Sequence, residues 1–177
     1  MFRKIFLFIL LWTGASTVSA TTILYYVTNI VGNTWEYTYT VKNDMLVTDI
    51  EEFTIFFDAG LTENLVATTT PANWDPLVIQ PDPGLPDDGF YDALALVSGI
   101  APGDMLGGFG VQFDFLGIGT PGSQAFDIVD AFTFDVLDSG TTNLASVPVP
   151  TPVPEPNLLL LMSAGFFVFA GRKRYQQ

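Results

Sequence analysis

The middle of the chain alternates between apolar and polar positions. In "NTWEYTYTVKN", Trp35, Tyr37, Tyr39 and Val41 fall on one face, and Glu36, Thr38, Thr40 and Lys42 fall on the other. A period of two marks a strand with one face buried and one face wet. The pattern returns in "IEEFTIFFD" at Phe53, Ile55 and Phe57, and in "GFGVQFDFLG" at Phe109, Val111, Phe113 and Phe115. It returns again at Phe126 and Ile128, then at Phe132, Phe134 and Val136. "TTILYYVTNI" supplies an earlier strand, Thr22 to Thr28, whose β-branched and aromatic residues suit a pleated surface. "YDALALVSGI" could start a short helix at Ala93 to Leu96, but its length and the Ser98-Gly99 that follows favour a strand.

Turn residues separate these segments: Asn43-Asp44, Asp58-Ala59-Gly60, Pro102-Gly103 and Gly117 to Gly122. The glycines of "GDMLGGFG" lie among strand signals and open no helix, so they read as turn or bulge positions and not as a phosphate cradle. In Thr68 to Asp92 the prolines at 71, 76, 81, 83 and 86 lack an N–H and cannot sit in a central strand for long. That segment reads as a long loop across one end of the domain, able to carry function or to cap a sheet edge. Short strands joined by turns predict an all-β fold, an antiparallel β-sandwich of about seven to nine strands.

The two ends differ from the body. Residues 1–20 carry Arg3 and Lys4, an apolar run from Ile5 to Trp12, and small residues ending in Val18-Ser19-Ala20. This is the layout of a secretory signal peptide, with cleavage expected between Ala20 and Thr21. Residues 21–142 form the predicted sandwich domain, and 143–152 form a Ser/Thr/Pro spacer stiffened by alternating prolines. Residues 153–177 hold Val153-Pro154-Glu155-Pro156, an apolar stretch and the basic cluster Arg172-Lys173-Arg174. Leu158 to Gly171 is 14 residues, a rise of ~21 Å as a helix. That is short of the ~30 Å hydrocarbon core of a bilayer. The stretch is apolar on every face and set apart by the spacer, which argues against a core helix of the domain. The basic cluster would stay on the cytoplasmic side.

Charge and composition narrow the chemistry. The chain has 19 acidic and 6 basic residues. All the acids fall between Glu36 and Glu155, where Lys42 is the sole basic residue. Such a body repels nucleic acid and anionic surfaces, stays soluble outside the cell, and attracts cations or basic partners. With no Cys and no His, the chain can build no disulfide, no Ser-His-Asp or Cys-His site and no His-ligated zinc site. Paired carboxylates are the remaining catalytic route, as in glycoside hydrolysis, but acid abundance alone places no two groups across a cleft. No catalytic residue is therefore assigned. Calcium needs only oxygen ligands on a pliant loop, and Asp82, Asp87, Asp88 and Asp92 with Gly84 and Gly89 are candidates, although the spacing fits no EF-hand. The bland alternative for these acids, and for Asp127 and Asp130, is a solvated turn. Trp35 shares the phase of Tyr37 and Tyr39 and belongs to the core; Trp74, in the Pro-rich loop, could stack on a sugar ring or plug the end of the sandwich.

The C-terminal arrangement resembles the PEP-CTERM protein-sorting signal: Val153-Pro154-Glu155-Pro156, an apolar helix directly after it, and Arg172-Lys173-Arg174 near the terminus. The resemblance implies an exosortase substrate of a Gram-negative bacterium. Such a protein is exported by its signal peptide, held transiently in the inner membrane, cut near Pro154-Glu155-Pro156, and released to the cell surface or extracellular matrix. More loosely, "WEYTYTVKN", "IEEFTIFFD" and "GFGVQFDFLGIGTPGSQAFDIVD" resemble the body of some other PEP-CTERM proteins, which supports the strand reading and names no activity. The expected function is that of a non-enzymatic surface or biofilm-matrix protein with no cofactor, in contact with exopolysaccharide. The alternatives are a carbohydrate- or calcium-binding module and, more remotely, a carboxylate glycoside hydrolase.

Overall fold

The computed structural model describes residues 21–146 apart from Pro86. The signal peptide, most of the spacer and the whole C-terminal segment lie outside the described residues. Among the described residues there is no helix. Ten strands form two five-stranded sheets. One sheet runs β10-β1-β2-β7-β4 and the other β5-β6-β3-β8-β9. The strands are β1 (Thr22–Val31), β2 (Thr34–Lys42), β3 (Glu52–Phe57), β4 (Thr62–Thr69), β5 (Trp74–Ile79), β6 (Gly89–Ala95), β7 (Met105–Phe115), β8 (Ala125–Val129), β9 (Val136–Thr141) and β10 (Asn143–Leu144). All pairings are antiparallel except β1 with β10, where Leu24 faces Asn143 and Tyr25 faces Leu144.

The two-residue period explains the core. Tyr37, Tyr39 and Val41 of β2, Phe109, Val111 and Phe113 of β7, Phe53, Ile55 and Phe57 of β3, and Phe126 and Ile128 of β8 are all buried. Trp35 is half-buried and packs against this cluster. The two sheets meet ring to ring: Phe53 stands edge-on to Phe109 at 4.9 Å between centroids, and Tyr37 packs edge-on against Phe57 at 6.2 Å while stacking on Phe113 at 4.8 Å. Offset and edge-to-face pairs of this kind add about 0.5–1.5 kcal/mol each beyond area burial.

Three segments depart from the periodic reading. Phe132 and Phe134 alternate in sequence yet form no strand: they lie in the turn between β8 and β9 and are 92% and 73% exposed. Asp130 makes that turn, its Oδ1 accepting the N–H groups of Phe132 at 2.9 Å and Thr133 at 2.8 Å. An aspartate that satisfies two amides locally outcompetes a ladder with no buried face to gain. The Pro-rich stretch is likewise no plain loop, because it contains β5, a strand at the sheet edge. Pro76 fits there because an edge strand can leave one N–H side unpaired. Strand β4 was not apparent from the pattern, since among its residues Thr62 and Leu65 alone are buried. The first sheet continues past Thr142 into β10, and Ala145 N–H bonds to Tyr25 O at 2.8 Å.

Of the glycines of "GDMLGGFG", Gly103 lies in the turn before β7, and Gly107 and Gly108 sit at a bulge. Between the pairs Tyr39–Phe109 and Thr40–Gly107 the register slips by one residue, and Gly108, at φ +99°, is the extra residue on β7. A side chain is strained at that φ, so glycine suits the position.

Candidate functional site

In strands of period two, a pair of adjacent large side chains must send one member outward. Three aromatic doublets occur in the described strands. Tyr25-Tyr26, Phe56-Phe57 and Phe90-Tyr91 each bury one ring and leave Tyr26, Phe56 or Phe90 on an outer face. Phe56 and Phe90 are direct partners across β3 and β6, and Ile79 of edge strand β5 pairs with Phe90. Ile79, Phe90 and Phe56 thus form one row across three strands. Ile79 is 43% exposed, and the next outward residue on β5, Leu77, is 52% exposed. The row is one wall of an open notch whose other wall holds Gln80, Asp82, Asp87 and Asp88.

The acidic wall is a tight turn. Asp82 and Asp87 bridge through their backbones, with Asp82 N–H to Asp87 O at 2.9 Å and Asp87 N–H to Asp82 O at 3.2 Å. Asp82 Oδ1 accepts Gly84 N–H at 2.8 Å, and Asp88 Oδ1 accepts Ala59 N–H at 3.1 Å from the β3–β4 turn. Asp92 lies apart, in the middle of β6, where its Oδ1 accepts the Thr54 hydroxyl at 2.6 Å. The four candidate calcium ligands are therefore split, three at the notch and one on the sheet. Among the described residues no group of three or more acids is placed to hold a metal ion.

Burial raises the Asp92 carboxyl above the ordinary carboxylate range, and the Thr54 hydrogen bond offsets part of that. Glu52, on the same outer face, is also raised, first by burial and then by the charges of Asp92 and Asp130. This face thus combines half-buried aromatic rings and exposed aliphatic side chains with two carboxyls whose pKa is raised.

Trp74 is not on the surface. It is 7% exposed and packs edge-on against Phe109 at 5.2 Å and tilted against Phe53 at 5.9 Å. Its indole closes the end of the sandwich and presents no face to a sugar.

The outer face of the first sheet is chemically different. Thr34, Glu36, Thr38 and Thr40 of β2 face outward beside Gln112 and Asp114 of β7. The Thr34 hydroxyl donates to Asp114 Oδ1 at 2.6 Å, Asn64 donates to Asp114 Oδ2 at 2.9 Å, and the Thr68 hydroxyl donates to Glu36 Oε1 at 2.6 Å. The bonds from Thr34 and Asn64 hold the Asp114 carboxyl below its ordinary value. The face is largely polar, with Tyr26 and Val66 among its exposed apolar side chains.

A smaller cleft between the sheets is lined by Tyr37, Asp58, Asp88 and Gln124. It brings two carboxylates together, but each has a structural partner. Asp58 Oδ1 accepts Gly60 N–H at 2.6 Å, and Asp88 holds Ala59. The Tyr37 hydroxyl donates to Gly122 O at 2.6 Å.

These features define an acidic, all-β, two-sheet sandwich with one polar outer face and one outer face bearing an aromatic row. How the cell handles it is written in its C-terminal segment: the family description "PEP-CTERM protein-sorting motif" matches residues 152–174, so the chain carries that motif. The motif implies an exported, exosortase-sorted protein with membrane-associated sorting and a surface or extracellular destination. Its residues, Val153, Pro154, Glu155, Pro156, Arg172, Lys173 and Arg174 among them, lie outside the described structure, as does Ala20. Among the described residues no helix is long and apolar enough to cross a membrane.

No curated protein matches the chain. Among solved structures, it is similar to a cohesin module from a Clostridium perfringens family 33 glycoside hydrolase, at 12% identity over 71% of this chain and 96% of that one, with a TM-score of 0.43. It is also similar to the chitin-binding domain of Chi18aC from Streptomyces coelicolor, at 22% identity over 60% of this chain and 90% of that one, with a TM-score of 0.38. Both likenesses are distant, and neither bears on what this sandwich touches.

Proposed function

We propose that this protein is a non-enzymatic surface or extracellular-matrix component of a Gram-negative bacterium. In this reading it is exported by its signal peptide, cut by an exosortase near Pro154-Glu155-Pro156, and held in the matrix by its sandwich domain. The observation that carries the reading is the sorting motif over residues 152–174. Processing there would remove the apolar stretch and basic cluster and leave an acidic domain whose sole basic side chain is Lys42. Replacing Glu155 with Gln tests the sorting step. The expected result is a full-length C-terminus by intact mass and retention in the membrane fraction. A variant released and trimmed like the unsubstituted protein would count against it.

The aromatic row favours a second, finer reading, contact with matrix polysaccharide. Sugar rings stack their C–H faces on flat aromatic side chains, and carboxylates accept hydrogen bonds from sugar hydroxyls. Phe56 and Phe90 beside Asp82, Asp87 and Asp88 offer both kinds of contact in one notch. So acidic a domain disfavours polyanionic glycans, which leaves neutral or amino-bearing polymers. The double substitution Phe56→Ser with Phe90→Ser is expected to abolish co-sedimentation with the organism's own polysaccharide. Undiminished co-sedimentation by a folded double variant would move the contact elsewhere.

A further inference from the structure

The edge of the sandwich holds a carboxylate with an unusual partner. Asp138 of edge strand β9 is in register with the fully buried Ile128 of β8, so its side chain is carried on the core-facing side of the sheet. Its Oδ1 accepts the N–H of Ser139 at 2.9 Å. Its Oδ2 lies 2.6 Å from the backbone nitrogen of Thr21, the residue just before β1 of the opposite sheet. Thr21 is 3% exposed, and its hydroxyl oxygen is buried without a hydrogen-bond partner. A carboxylate turned inward at such a seam is costly unless a donor or a positive charge meets it. No side chain of the domain is free to supply that charge, because its sole basic residue, Lys42, pairs with Asp44 at 2.7 Å.

One other cation is open to a processed domain, its own amino terminus. We propose that Asp138 is the receptor for the amino terminus created when the chain is cut between Ala20 and Thr21, and that the resulting ion pair fastens β1 to β9 across the two sheets. This rests on reading residues 1–20 as a cleaved signal peptide. Hydrolysis of the Ala20–Thr21 bond places the water oxygen on the Ala20 carbonyl, which leaves as a carboxylate. The Thr21 nitrogen takes the protons and becomes an ammonium, as an α-amine with a pKa of about 8 does at neutral pH. The nitrogen already within hydrogen-bond distance of Asp138 thereby changes from a neutral amide with one N–H to a cation with three. The acceptor is charged before and after cleavage, so what the cut adds is a full positive charge on the donor and two further N–H groups. Cleavage thus does more than detach the signal peptide: it adds a positive charge to a link between the sheets that the precursor holds as an amide-to-carboxylate hydrogen bond.

The exported, processed protein provides the test. Selective acetylation of its α-amine in urea, followed by refolding, is expected to lower the melting temperature by about 4 °C. The same treatment should leave Asp138→Asn unchanged. No shift in the unsubstituted protein, or an equal shift in both, overturns the ion pair. Should Asp138→Asn not fold, the unsubstituted protein still decides: its α-amine must acylate several-fold more slowly when folded than in urea, and equal rates overturn the proposal. N-terminal sequencing of the same material separates the two readings. A first residue other than Thr21 means that the cleavage assignment has failed and takes the proposal with it. Thr21 as first residue with no effect of acetylation means that the pair alone has failed.

Discussion

Asp92 shows how one side chain's surroundings set its chemistry. It sits in a central strand between Leu77 and Thr54, where desolvation favours the protonated form and raises its pKa. A raised folded-state pKa means that, just above the ordinary carboxylate range, the native protein keeps a proton that the unfolded chain has released. Stability from this group is therefore full at low pH and is lost as pH rises through the folded value. Asp92→Asn, which never ionises, should be more stable than the parent at pH 7, and that advantage should shrink as pH falls toward the ordinary carboxylate value of 3.8. Urea denaturation of both proteins at the two pH values measures this. Asp130 and Asp114 are shifted the opposite way by hydrogen bonds, but both are solvent-screened and oppose the trend only weakly. Asn43 makes the complementary point for a neutral group. It is fully buried and uses both ends of its amide, with Nδ2 donating to Thr48 O and Ile100 O at 2.9 Å each and Oδ1 accepting Leu46 N–H at 3.1 Å. In the sequence Asn43 looks like a turn residue; that it ties down three separate backbone groups depends on where the chain returns.

At the level of elements, the strands that read clearly are those with several inward residues. β2, β3 and β7 each bury at least three, so their period of two is unmistakable. β4 and β5 bury few, and they are held by pairing and by Gln80, whose side chain donates to Leu65 O at 2.7 Å and accepts Leu65 N–H at 2.8 Å. The bulge on β7 is where backbone conformation and sequence meet most tightly. Gly108→Ala places a side chain at φ +99° and should cost about 1–3 kcal/mol in urea denaturation. Gly103→Ala, also at positive φ but in the turn before β7 with open space around it, tests whether strain alone sets that cost.

Across the whole molecule, charge and sorting act together. A body with one lysine against its many acids repels itself, so moderate salt should raise the melting temperature, through screening at a Debye length of about 3 Å in 1 M salt. Calorimetry at 0.05 M and 0.5 M sodium chloride should show the rise, and a fall would mean that attractive pairs dominate the field.

The sequence by itself determined the all-β class, the inward residues of the long strands, the bulge glycines and the sorting motif. Each of these is a local pattern, fixed by the pleat, by backbone sterics or by recognition of a short segment. Only the tertiary structure decided which ring of each aromatic doublet faces out, that Trp74 fills the end of the core, and that Phe132 and Phe134 leave the sheet. The same holds for the acids at Asp82, Asp87 and Asp88 parting from Asp92. It alone brings Asp138 to Thr21, residues 117 positions apart. Contacts across such separations follow from which sheet edges meet when two layers close on a shared core, and no short-range period records that.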